Sequence, residues 1–111
     1  MSDCVFCKIV AGELPSKTVL ETDRLLAFED INPKAPIHVL LIPKKHVVNL
    51  LDASAEPDLM GEIVAASADI ARQRGVTDYR LVANTGREAG QIVFHLHFHV
   101  LAGRRMTWPP G

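Results

Sequence analysis

Three of the chain's five histidines stand in the run His95-Leu96-His97-Phe98-His99-Val100-Leu101, at every second position with apolar residues between them. A period of two is that of a β-strand, so the imidazoles share one face while Leu96, Phe98 and Val100 take the other. A strand that only packed would carry side chains that lose less on leaving water. Metal binding and nucleophilic catalysis are the chemistries such a row offers. Neighbouring histidines on a strand lie about 6.8 Å apart and the outer pair roughly 13 Å. An H-x-H pair can share one ion, but His95 and His99 can hardly both reach it, because zinc–nitrogen bonds are only about 2 Å long. The three histidines therefore divide their labour.

The residues upstream extend the pattern to Asn84-x-Gly86-x3-Gly90-Gln91-x-Val93-x-His95-x-His97-x-His99-Val100-Leu101. This run resembles the signature of the histidine-triad family of nucleotide hydrolases and transferases. The closing Gly103-Arg104-Arg105-Met106-Thr107-Trp108-Pro109-Pro110-Gly111 is similar to the Hint branch, the purine nucleoside phosphoramidases. The resemblance runs from about Cys4 to the last residue.

It implies that His97 is the nucleophile. An imidazole suits that role, because its reference pKa near 6.5 leaves most of it neutral at pH 7 with one nitrogen lone pair free. Attack on an α-phosphorus gives a nucleotidyl-histidine that water can cleave. His99 is expected beside the phosphate as a donor, and His38 is expected to orient the set. The resemblance also assigns Asn84, Gly90 and Gln91 to the phosphate, with Val93 beside them. Asp30 it assigns to the ribose diol, which a carboxylate can accept bonds from. By itself, Asp30 at a strand end before a proline turn reads as a turn initiator. Val5, Phe6, Ile9, Phe28 and Ile31 match positions that sandwich a purine, and Trp108 matches one that shapes leaving-group choice. One position departs from the pattern: the Hint branch often carries a hydroxyl residue after the glutamine, and here Ile92 stands there.

Cys4-x2-Cys7 with His46 and His95 makes a Cys2His2 set, although the histidines lie too far off for a compact zinc finger. Some bacterial members of the family hold zinc in this arrangement. The resemblance implies a structural zinc that pins the first helix to the strand of His97, and no cofactor for the chemistry itself.

The elements that must position these groups follow from the rest of the chain. Cys4 to Ala11 reads as a helix, capped by Ser2 or Asp3 and stopped at Gly12. Val19–Thr22 and Leu25–Asp30 are short strands, and Asn32-Pro33-Lys34-Ala35-Pro36 is a loop. His38–Ile42 is the most apolar strand, expected at the centre of the sheet and ended by Pro43. A long helix follows, capped by Ser54, with Pro57 and Asp58 in its first turn and a stripe of Met60, Ile63, Val64, Ile70 and Ala71. Gly75 stops it. Arg80–Asn84 and Gln91–Leu101 are the last strands, joined by the Thr85–Gly90 loop. Five strands, mostly in hairpins, with two helices predict an α+β domain on an antiparallel sheet. The resemblance agrees and implies a homodimer in which two such sheets join, with the tail of residues 103–111 docking at the interface.

With 111 residues, one domain over 1–111 is expected. A composition of 48% hydrophobic and 23% charged residues is that of an ordinary soluble globule. A formal net charge of −1 provides no electrostatic case for nucleic acid. No apolar run approaches the ~20 residues of a membrane span. The first residues lack the features of a signal peptide, and two cysteines without an export signal suggest reduced thiols or a metal site. The expectation is a cytoplasmic homodimer hydrolysing purine nucleoside 5′-phosphoramidates such as AMP amidates. The second reading is a dinucleoside polyphosphate hydrolase or nucleotidyltransferase of the same family. Readings from other classes are a zinc-stabilised nucleotide-binding protein with little turnover and a zinc hydrolase with His95 and His97 as ligands.

Overall fold

A computed structural model describes residues 3–111. The elements in chain order are α1 (Val5–Val10), β1 (Thr18–Glu21), β2 (Leu25–Glu29), β3 (Ile37–Pro43), α2 (Leu50–Ala53), α3 (Pro57–Gln73), β4 (Tyr79–Val82) and β5 (Phe98–Ala102), with a 3-10 turn at Arg87–Ala89. The five strands form one antiparallel sheet in the order β1-β2-β3-β5-β4. This is the expected α+β fold with β3 at its centre, and it has three α-helices rather than two. Among the described residues no helix is long and apolar enough to cross a membrane.

The sheet buries both faces, but unequally. Leu25, Ala27, Val39, Leu41, Leu96 and Val100 face α3 and pack on its Leu59, Ile63, Ala66 and Ile70. Leu26, Phe28, Leu40 and Ile42 face the other way and meet Phe6 of α1. Alternation along each strand produces the two sets. Because α1 has only six residues, it covers part of the second face, and the remainder is left open for a site.

Several local expectations need correcting. The cap of α1 is neither Asp3 nor Ser2, which lies outside the described residues: it is Cys4, whose Sγ accepts from the Cys7 N–H. Ser54 does not begin the long helix. It closes α2, donating its hydroxyl to the Leu51 carbonyl, and α3 starts after Glu56 without a side-chain cap. Val64 is 59% exposed; Ile63, Ile70 and Ala71 are buried as expected, and Leu59, Ala66 and Ser67 complete the buried stripe. Met60 is half-buried at its edge.

The largest correction concerns the triad. The last strand begins at Phe98, so of the three histidines only His99 belongs to it. The ladder stops there for a physical reason. β4 ends at Val82, opposite His99, and β3 ends at Pro43, which has no N–H to offer. The chain before Phe98 bonds elsewhere: Leu96 N–H goes to Val47 O, and the Pro43 carbonyl accepts from the His95 ring. The facing survives all the same, with Leu96 and Val100 on the α3 side and the imidazoles on the other.

After β5, Gly103 turns the chain at φ +89 against the 30–36 loop. A Cβ there would sit 3.0 Å from Pro36 Cβ and 3.3 Å from its Cγ. Gly103→Ala is expected to destabilise the protein by about 1–3 kcal/mol through backbone strain and this overlap, read as a lower urea midpoint at unchanged slope.

Candidate functional site

Register brings the histidines of two strands together. His38 pairs with Leu101 and Leu40 with His99, so the two rings are diagonal neighbours on one face. They meet at 2.9 Å between His38 Nε2 and His99 Nδ1. The Lys34 amide donates to His38 Nδ1 at 2.9 Å. A backbone N–H can only donate, so His38 carries its proton on Nε2, and His99 must accept at Nδ1 and carry its own proton on Nε2. Asp30 Oδ2 stands 3.3 Å from His38 Nε2, and its Oδ1 accepts from the Asn32 amide.

His97 is held by a separate device. Its Nδ1 lies 2.8 Å from the His95 carbonyl. A carbonyl can only accept, so Nδ1 bears the proton and Nε2 keeps its lone pair. Phe6 presses edge-on to the ring at 5.2 Å between centroids, and His99 lies at 5.1 Å on another side. The result is a bare nitrogen on His97 beside an N–H on His99.

Burial lowers the pKa of His99 to about 4, and the neighbouring His97 and His38 push in the same direction. Burial also lowers His38, against the pull of Asp30. These rings are therefore neutral at pH 7, in keeping with the tautomers derived above.

One open cavity of about 1110 Å³ takes in His38, His97 and His99. Val5, Phe6, Ile9, Phe28, Asp30, Ile31, Asn84, Gly90 and Val93 also line it, as does Ile92. Two expected residues do not. Gln91 is buried to 3% exposure, and its amide is spent on the protein: Oε1 accepts from Gly86 N–H, while Nε2 donates to the carbonyls of Val48 and Val93. It clasps the loop rather than facing the cavity. Trp108 is 81% exposed and outside the lining. Arg104, Met106 and Pro110 are the tail residues that reach it.

Sequence reasoning missed the Lys34 amide, for which no signal exists in the chain. It also missed Leu40, Val82 and Arg80, which the period of two would have found once the register was known.

The second cluster is Cys4, Cys7, His46 and His95, whose ligand atoms all lie within 4.8 Å of one another. Cys4 Sγ is 3.3 Å from His95 Nδ1, and Cys7 Sγ is 3.3 Å from His46 Nδ1 and 3.5 Å from His95 Nδ1. A tetrahedral N2S2 shell sets its ligand atoms roughly 3.4–3.8 Å apart, so these spacings fit an ion with little movement. His95 Nε2 donates to the Pro43 carbonyl at 2.7 Å, which turns the lone pair of Nδ1 toward the thiols. Burial raises the Cys7 thiol pKa and lowers that of His95. All three triad histidines thus have different duties, with His95 turned away from the cavity.

An antiparallel α+β fold that sets an imidazole with a free lone pair beside an open cavity defines a class of proteins. The description "HIT domain" matches residues 11–106, and the chain belongs to that family. It is 49% identical over 111 residues to an uncharacterized HIT-like protein of Synechococcus elongatus, covering 98% of this chain and 97% of the relative. It is 41% identical over 113 residues to a 14 kDa zinc-binding protein of Brassica juncea, covering 98% and 100%. Among solved structures, a HIT family hydrolase from Legionella pneumophila superposes with a TM-score of 0.95 at 45% identity, covering 98% of this chain and 100% of that one.

Imidazole nitrogen NMR tests the site's proton inventory. His99 is expected to show the Nε2–H tautomer and to stay neutral down to about pH 4, while an unfolded histidine titrates near 6.5. Between those values the unfolded chain binds more protons here than the folded one. Stability therefore rises with pH across the window and is lost as pH falls through it. Urea midpoints at pH 4.5 and 7 should follow that order, with a smaller gap in His99→Gln.

Proposed function

We propose that this HIT-family chain hydrolyses purine nucleoside 5′-phosphoramidates, such as adenosine or guanosine monophosphoramidates, through a nucleotidyl-histidine on His97. The observation that carries the reading is the paired inventory of the cavity: an Nε2 lone pair on His97 next to an Nε2–H on His99. A nucleophile for phosphorus and a donor for a phosphoryl oxygen stand on rings 5.1 Å apart between centroids. Val5, Phe6, Ile9 and Phe28 offer an apolar slot for the purine, with Ile31 at its mouth, and Asp30 a carboxylate for the ribose diol. Asn84, Gly90 and Val93 border the phosphate side, and Gln91 holds that loop in shape.

In the first step His97 Nε2 bonds to phosphorus. The P–N bond to the amine breaks with its electron pair staying on the leaving nitrogen, which takes a proton from solvent at the open cavity. Ile92 offers no hydroxyl there. Water then attacks phosphorus, the His97–phosphorus bond breaks, and the surplus proton of the water returns to solvent. With Nδ1–H held by the His95 carbonyl, the intermediate is a cationic imidazolium, which departs readily. His99 donates to the phosphoryl oxygen throughout. His38 keeps it in that tautomer, with Asp30 behind.

The spacing of Cys4, Cys7, His46 and His95 supports a structural zinc in the same reading. Bound there, the ion would cross-link α1 to the segment before β5 and so hold Phe6 against His97. The proposal includes a homodimer and a cytoplasmic setting. The outer edge of β4, the 86% exposed Ile92 and the 81% exposed Trp108 support the first, and two free thiols support the second.

His97→Ala should lower kcat/KM for an adenosine phosphoramidate by about 10³-fold or more. Rapid quench and mass spectrometry of the parent chain should find the nucleotidyl group on His97. Undiminished turnover in the variant would end the reading. Exhaustive chelation should lower Tm by several degrees, and Cys7→Ser should remove the response to zinc. A chelator without effect on Tm would count against the ion.

A further inference from the structure

The cavity has one end with no task in the reading above. Order across the sheet runs β2, β3, β5, β4. The purine slot lies at β2 and α1, and the phosphate at His99 on β5, so whatever is attached beyond phosphorus extends toward β4. There the lining changes character, to Val82 and Arg80 of β4, while Arg104 and Met106 of the tail enter the same lining, Arg104 from beside the 30–36 loop.

Arg80 pairs with Leu101 and therefore shares the face of His99. It stands one strand across and two residues along, about 8 Å between Cα atoms, a span that an arginine side chain and a small leaving group fill together. Both guanidinium groups are aimed by backbone rather than by acids. Arg80 Nη2 donates to the Thr107 carbonyl at 3.0 Å, and Arg104 Nε donates to the Lys34 carbonyl at 2.9 Å. Neither has a carboxylate partner among the described residues. The acids that line the cavity are engaged elsewhere: Asp30 with His38 and the Asn32 amide, Glu29 near Lys17 and Arg74. Half-buried Arg80 thus presents unneutralised charge to a partly enclosed space, where an anion gains more than it would in water.

We propose that the β4 end of the cavity is a leaving-group subsite for an amine that carries its own anionic group, a carboxylate or a phosphate, received by Arg80, with Arg104 of the tail adding positive charge to the same cavity. The inference rests on the phosphoramidase reading and names the class of substrate. The amine departs as before, with the P–N electron pair and a solvent proton on its nitrogen. Arg80 binds its anionic group in both ground and transition states, so the effect falls mainly on KM.

The test compares matched adenosine 5′-phosphoramidates on the full chain: glycine against glycinamide, and 2-aminoethyl phosphate against ethanolamine. Each kcat/KM ratio of anionic to neutral substrate is taken in the parent, in Arg80→Gln, in Arg104→Gln and in Arg80→Glu. Intrinsic amine basicity cancels when a ratio is compared between proteins. Loss of one charged contact should lower the ratio about tenfold, mostly through KM, and Arg80→Glu should lower it further. A fall confined to the glycine pair assigns the subsite to carboxylates, and one confined to the aminoethyl phosphate pair assigns it to phosphates. Turnover of all four amidates with ratios that no substitution moves overturns the subsite alone. No turnover of any amidate by the parent, with no nucleotidyl-His97, overturns the phosphoramidase reading and this inference with it.

Discussion

The amide of Lys34 and the carbonyl of His95 decide which nitrogens of the site carry protons. Each backbone group has a single chemical sense, donor or acceptor, and each meets one imidazole nitrogen at 2.8–2.9 Å. From the first, the proton on His38 and then the proton on His99 follow in order. From the second, the lone pair of His97 follows. Side chains alone could not hold this arrangement, because an imidazole facing another imidazole can exchange roles with it. Anchoring both ends in the main chain removes that freedom, and burial removes the competing charged forms.

The same economy explains why the triad lies where the sheet ends. A residue inside a ladder has its carbonyl committed to a neighbouring strand. The segment before Phe98 has left the ladder, so the His95 carbonyl is free to accept from His97 and the Pro43 carbonyl from His95. The proline that ends β3 thereby serves the cysteine cluster, and the chain that departs from the sheet serves the cavity. Phe6 links the two, touching His95 at 5.9 Å and His97 at 5.2 Å between ring centroids. Whatever steadies α1 also steadies the His97 ring.

Gln91 shows how a signature residue can carry structure. Its amide makes three bonds within the protein and closes the loop that contains Gly86 and Gly90. Gly90 adopts φ +97, with the Asn84 side chain 3.8 Å from where a Cβ would be. The side of the cavity bordered by Asn84, Gly90 and Val93 is thus built on a buried clasp.

Much of this was legible in the chain. Apolar composition identified His38–Ile42 as the central strand, and alternation separated Leu96, Phe98 and Val100 from the imidazoles, because facing depends only on a local period. Pro57 and Gly75 marked the long helix by their backbone chemistry. Spacing and motif singled out His97 and His99, and the family resemblance added His38 and grouped Cys4 and Cys7 with His46 and His95, which the fold brings together. The sequence could not show that the last strand starts only at Phe98, since that depends on where partner strands run out. Nor could it reveal the Lys34 amide, the turning inward of Gln91, or the presence of Arg80 and Arg104 in the lining of one cavity. Those are consequences of register and loop path, which place residues far apart in the chain against one another. Local sequence carries periodicity and chemistry, but proton positions and charge neighbourhoods arise from distances that only the folded sheet defines.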